Sequence, residues 1–211
     1  MWLLRYKAKE RKKFNAKRTK DTTPMTEQTL ILLKPDAVAR RLTGRIITTL
    51  EEAGLSITNI KMLTADKETL ANHYPSDDKW LGIVGGKTLE DYEASGKDAS
   101  AEFGSNDPVE IGKIIKGWLV DFMASGPIVA MVVEGNEAVK NVRRLVGHTL
   151  PSKAEPGSIR GRFSCDSPSA ANEEKRPVTN LIHASGEVDE AEFEIGLWFP
   201  ELKKGNNSKV A

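Results

Sequence analysis

Two uninterrupted apolar runs limit what this chain can fold into. Thr29-Leu30-Ile31-Leu32-Leu33 carries no charge and is followed by Lys34 and then Pro35, which cannot extend a β ladder. Ile128-Val129-Ala130-Met131-Val132-Val133 repeats the pattern a hundred residues later. Short aliphatic runs bounded by turn formers read as buried strands. The second reads as the central one. Leu55 to Thr64 alternates well enough for another strand, and Asn180 to Ala184 reads as a fourth.

Helical patterns fill the gaps. Gly44 to Ala53 puts Ile46, Ile47, Leu50 and Ala53 on one face, with Gly54 as a C-terminal cap. Asp66 can cap a short helix reaching Tyr74. Asp107-Pro108 opens an amphipathic helix that ends at Ser125-Gly126-Pro127. Asn136 is placed to cap a helix with Val139, Val142, Leu145 and Val146 inward, and Val188 to Phe199 is the last helix. Pro75 to Pro108 reads as irregular, because Gly82, Gly85-Gly86, Gly96 and Gly104 interrupt it, with a short helix near Thr88 to Ser95. His148 to Arg162 reads as a long loop. The order strand, helix, strand, strand, helix, strand predicts an α/β (α+β) chain of the ferredoxin-like, split-βαβ kind. Its four-stranded antiparallel sheet would have helices packed on one face, plus insertions.

Four side chains from separate segments carry chemical potential: Lys34, Arg143, Arg160 and His183. If the fold gathers them, three cations surround one imidazole, a pocket suited to a polyphosphate and to a group that accepts its terminal phosphoryl. Leu181-Ile182 would hold His183 at the end of a buried strand, and small residues, Ala184, Ser185 and Gly186, leave room for a ligand. Glu194 on the last helix can accept a hydrogen bond from one ring nitrogen, fixing the tautomer and freeing the other to attack phosphorus.

Six ordered stretches carry a resemblance: Thr29 to Asp36, Ala124 to Pro127, Val129 to Val132, Pro156 to Gly161, Asn180 to Ser185 and Glu194 to Phe199. Together they resemble the nucleoside diphosphate kinase family over about Thr26 to Leu202. The resemblance implies transfer of a γ-phosphoryl between nucleotides through a phosphohistidine on His183. It implies phosphate binding by Lys34, Arg143, Thr149 and Arg160, sugar contacts from Asn180, Tyr74 beside the histidine, and Ser185 with Glu194 orienting it. It also implies Mg²⁺ held mainly by the nucleotide, ATP and other nucleoside tri- and diphosphates as partners, and a homotetramer or homohexamer. The alternative is a nucleotide-binding regulatory module of the same fold without turnover.

The chain departs from the family pattern in several places. About 30 extra residues lie between Tyr74 and Ser125, and about ten more near Asp166 to Lys175. The first insertion obscures the base-stacking residue: one count gives Trp80, the other Ile115. Gly186 and Arg162 stand where acidic residues are common.

Residues 1–24 hold nine Lys or Arg and two acidic residues, although the net charge is only +1. This segment reads as a basic, disordered leader, with Met25 as an alternative start. Its few aromatics, Trp2, Tyr6 and Phe14, are too sparse to make it a nucleic-acid arm. The expected domain is 25–205, with a short tail after it. One cysteine, Cys165, excludes an internal disulfide and fits a reducing, cytoplasmic setting. No run of 18 apolar residues suggests a transmembrane helix.

Overall fold

A computed structural model describes residues 26–205; the basic leader and the tail lie outside the described residues. The elements are β1 (Thr26–Leu33), α1 (Pro35–Ala39), α2 (Thr43–Glu52), β2 (Ser56–Leu63), α3 (Lys67–His73), α4 (Asp78–Ala94), α5 (Ala99–Phe103), α6 (Pro108–Ala124), β3 (Ile128–Asn136), α7 (Ala138–Val146), a 3₁₀ turn (Pro151–Lys153), α8 (Ile159–Phe163), α9 (Pro168–Glu173), β4 (Ile182–Ala184), α10 (Val188–Trp198) and α11 (Pro200–Gly205).

The two apolar runs are the paired central strands. The sheet order is β2-β3-β1-β4, with every pair antiparallel. β1 and β3 run in register from Thr26 opposite Asn136 to Leu33 opposite Val129. This is the expected split-βαβ sheet.

Helices cover both faces of it, not one as the sequence suggested. Ile31, Leu33, Val129, Met131 and Val133 pack on one side with Ile46, Leu50, Val142 and Val146 from α2 and α7. Leu30, Leu32, Ala130 and Val132 pack on the other with Leu70, Met123, Trp198 and Phe199. The physical reason lies in the same two runs. A strand apolar at every position must bury both faces, and each fully buried Leu or Ile contributes about 1.5–3 kcal/mol.

The largest departure from expectation is 75–108. Instead of an irregular excursion it forms α4 and α5, and α4 pairs with α6 along its length. The glycines that read as breakers are contact points. A Cβ on Gly85 would stand 1.9 Å from the Pro108 carbonyl oxygen, and one on Gly112 would stand 2.1 Å from that of Leu81. Only glycine lets the two backbones approach so closely. Tyr92, Ala99 and Ile111 give the insertion a small core of its own. It docks on the second insertion, where Asn172 Nδ2 donates to Asp91 at 2.7 Å and Lys175 pairs with Glu102 at 2.6 Å. At its other end the Lys116 ammonium bonds the carbonyls of Ala71 (3.1 Å) and Tyr74 (2.7 Å) and the Ser76 hydroxyl, tying α6 to the end of α3.

Smaller corrections follow from local chemistry. Asn136 ends β3 and does not cap α7; Glu137 holds that position in a left-handed conformation, φ 45°. Part of the expected loop 148–162 is helical, because the Ser158 side chain caps α8. β4 begins at Ile182, not Asn180. α11 follows α10 beyond the break at Phe199.

Candidate active site

The imidazole of His183 sits in the middle of β4, opposite Leu32 of β1. Its Nε2 lies 2.9 Å from a Glu194 carboxylate oxygen. Glu194 projects from α10 and is almost wholly buried, and Ser185 Oγ donates to it at 2.5 Å. Ser185 is held in turn by the Leu30 N–H at 3.3 Å. With Nε2–H donating to the carboxylate, Nδ1 is the ring nitrogen left with a lone pair. Burial, then the nearby charges of Lys34, Arg160 and Arg143, hold His183 below the usual imidazole range, so it is neutral at pH 7. Burial pushes the Glu194 carboxyl up, against the opposing pull of His73 and Ser185.

The cations converge as expected, each by a different route. Lys34 follows β1, is 6% exposed, and donates to Asn180 Oδ1 at 2.8 Å. Burial and the adjacent Arg160 lower its pKa to about 8. Arg160 lies on α8 rather than in a loop, and is 3% exposed. Its guanidinium donates to the carbonyls of Asn180 (3.1 Å), Gly147 (2.9 Å) and Ile182 (2.6 Å). Three of its five N–H groups are thereby used on main chain. Burial, then Arg143, lower its pKa to about 10. Arg143 stays exposed on α7, with one bond to the Ala184 carbonyl at 3.3 Å. The Thr149 carbonyl accepts from Asn180 Nδ2 at 2.9 Å.

Tyr74 closes α3 beside His73, their rings 5.0 Å apart. Burial, then Glu194, push its phenol up. Of the two candidate base platforms, Trp80 is near this ring, 6.2 Å from Tyr74, while Ile115 packs into the insertion's own core.

His73 is the site residue that sequence reasoning undervalued. Its ring stands edge-on to His183 at 4.5 Å. Its Nδ1 accepts from Trp198 Nε1–H at 3.3 Å and lies 3.3 Å from Glu194. Burial, then His183, hold it neutral. The one signal in sequence was its place before Tyr74. Among the described residues, His73, His183 and Glu194 also form the one cluster of three close metal-ligating types. Two imidazoles and a carboxylate suit a transition metal, not the all-oxygen shell of Mg²⁺.

The backbone at the site is unusual. Leu181 has φ 69°, and the Ile182 N–H bonds the Asn180 carbonyl at 2.8 Å. A three-residue turn with positive φ at its centre is the rare, strained γ form.

A family model described as nucleoside diphosphate kinase matches residues 27–80 and 112–203. The chain belongs to the nucleoside diphosphate kinase family. The unmatched gap, 81–111, is the first insertion, and it falls within α4 to α6. The nucleoside diphosphate kinase of Pyrobaculum aerophilum is 54% identical over 175 residues, covering 83% of this chain and 96% of that protein. That of Streptomyces coelicolor is 41% identical over 177 residues, covering 83% and 98%. Solved structures agree. A crystal structure of an NDP kinase from P. aerophilum superposes with a TM-score of 0.81 at 52% identity, covering 82% of this chain and 96% of that one. A transition-state mimic of the Borrelia burgdorferi enzyme, with bound vanadate and ADP, gives 0.64 at 31% identity, covering 83% and 88%.

Proposed function

We propose that this chain is a nucleoside diphosphate kinase in which His183 carries the phosphoryl group between two nucleotides. Membership of the family supports the activity. The observation that carries the residue assignment is the Ser185–Glu194–His183 chain, which keeps the proton on Nε2 and leaves Nδ1 its lone pair, with the charges of Lys34, Arg160 and Arg143 nearby. In the first half-reaction the Nδ1 lone pair attacks the γ-phosphorus of a nucleoside triphosphate. The N–P bond forms, the bond from phosphorus to the β,γ-bridging oxygen breaks, and the diphosphate leaves with that oxygen's electrons. The ring gains positive character, which the Glu194 carboxylate offsets through Nε2–H. A second nucleoside diphosphate reverses the step.

The surrounding groups divide the work. Lys34, Arg143 and the remaining donors of Arg160 offset charge on the phosphates. Asn180, fixed by Lys34 and Thr149, offers its amide to the sugar. Tyr74 borders the histidine, and Trp80 is the ring placed for a base. Mg²⁺ brought by the nucleotide would be held mainly by phosphate oxygens and water and would supply further charge neutralisation beside Lys34, Arg143 and Arg160. The fold leaves β2 as an edge strand with Ile60 and Met62 exposed. That supports a homo-oligomer, which we take to be a tetramer or hexamer. No helix among the described residues is long and apolar enough to cross a membrane, and we place the enzyme in the cytoplasm.

Incubation with γ-labelled ATP tests the central assignment. Acid-labile, base-stable phosphate should appear on the wild type and discharge to any added nucleoside diphosphate. His183→Ala should bind nucleotide and take no label. Label that persists in the variant would refute the role of His183.

A further inference from the structure

We propose that Asp36 is a positioning residue whose carboxylate holds the strained turn at Leu181, and that this turn lets Asn180 and His183 serve one pocket. The inference rests on the reading of His183 as phosphoryl carrier.

The argument begins with parity. Side chains along an extended strand alternate between faces, so residues three apart point to opposite sides. Asn180 and His183 are three apart, yet Lys34 bonds Asn180 and its charge also acts on His183. A regular strand through 180–183 cannot produce that arrangement. The left-handed residue at Leu181 does, by reversing the chain direction for one residue.

Such a conformation costs a non-glycine residue about 1–3 kcal/mol and persists only where its surroundings hold it. Leu181 is held from both sides. Its N–H donates to Asp36 Oδ2 at 3.0 Å, and its carbonyl accepts from the Lys34 N–H at 2.9 Å. Its side chain is wholly buried in the core beneath. Of the bonds to Leu181 itself only that to Asp36 is made by a polar side chain, while Arg160 holds the flanking carbonyls of Asn180 and Ile182. The other Asp36 oxygen, Oδ1, is buried without a partner among the described residues. The carboxylate is half-buried beside the charges of Lys34 and Arg160, and its Oδ2 is spent on this backbone bond. Asp36 itself is fixed in the first turn of α1, behind Pro35. Lys34 and Asp36 therefore form one device: the lysine reaches the ligand while the aspartate fixes the loop that presents Asn180 and His183.

Three variants test this by rapid-quench labelling of His183 and by kcat and KM. Asp36→Ala should slow labelling about tenfold or more and raise the nucleotide KM, because both Asn180 and His183 lose their bearing. Asp36→Asn keeps an oxygen able to accept from the Leu181 N–H, so labelling should stay within about threefold of wild type, although both variants melt lower. In a Leu181→Gly background, where positive φ is cheap, Asp36→Ala should lose most of its effect on labelling. Normal labelling in Asp36→Ala overturns the proposal. So does equal loss in Asp36→Asn, which would assign the effect to charge, or an undiminished effect in the glycine background. Failure of the wild type to label would instead refute the phosphohistidine reading.

Discussion

Replacing Glu194 by glutamine probes the site at its most constrained point. The carboxylate is 2% exposed and receives Ser185 Oγ–H at 2.5 Å and His183 Nε2–H at 2.9 Å. The amide is nearly isosteric but offers one acceptor and two donors. If its oxygen keeps the serine, its N–H₂ faces Nε2, and the imidazole must move its proton to Nδ1, the nitrogen proposed to attack. If the amide flips, the serine is orphaned in a buried site. Either way one charge-assisted bond is lost, worth about 1.5–3 kcal/mol. At about 1.4 kcal/mol per tenfold in rate, phosphorylation should slow by roughly ten- to a hundredfold. Rapid-quench labelling with ATP reads the rate, and ¹⁵N chemical shifts of His183 read the tautomer. Circular dichroism should be unchanged. Labelling within twofold of wild type, with the proton still on Nε2, would show that Glu194 does not set the tautomer.

Two further outcomes follow from the geometry. With its pKa lowered to about 8, Lys34 is cationic in the free enzyme below that pH and loses its charge above it. kcat/KM for a nucleoside triphosphate should therefore fall as pH rises through about 8, while kcat holds to higher pH because bound phosphates restore the lysine's affinity for its proton; parallel profiles would contradict this. Gly112→Ala would push a methyl to 2.1 Å from the Leu81 oxygen, forcing α4 and α6 apart at a cost of about 1–3 kcal/mol. Limited proteolysis within 81–111 should quicken and the melting temperature fall by several degrees; an unchanged melting curve would refute the close-packed crossing.

The sheet was legible because Leu30 to Leu33 and Ile128 to Val133 admit few alternatives, and α3 because Asp66 and Pro75 mark its ends. That those strands are buried on both faces was present in the same letters, but the antiparallel order suggested an open face. The insertion was misread for a physical reason. Glycine lowers helix propensity wherever it stands, and sequence alone does not say whether Gly85 is a break or the point where another backbone touches. Lys34, Arg143, Arg160, Asn180, Ser185, His183 and Glu194 were all singled out, and the fold gathers them. What stayed hidden depended on tertiary approach: the edge-on contact of His73 with His183, the burial of Arg160, and the left-handed Leu181, a residue that ordinarily avoids that conformation.

The burial of Arg160 has a thermodynamic consequence. Its guanidinium is bound to three carbonyls before any ligand arrives, and the Lys34 ammonium is already docked on Asn180. Immobilising a free, rotamer-rich side chain at an interface costs about 0.5–1.5 kcal/mol. For these two cations that entropy is lost during folding, not at binding. Of the three cations proposed to bind phosphate, Arg143, exposed on α7, is the one that still has freedom to lose. The unfavourable side-chain entropy of nucleotide association should thus be concentrated in one residue, and calorimetry of Arg143→Ala should show a weakened enthalpy partly masked by an entropic gain.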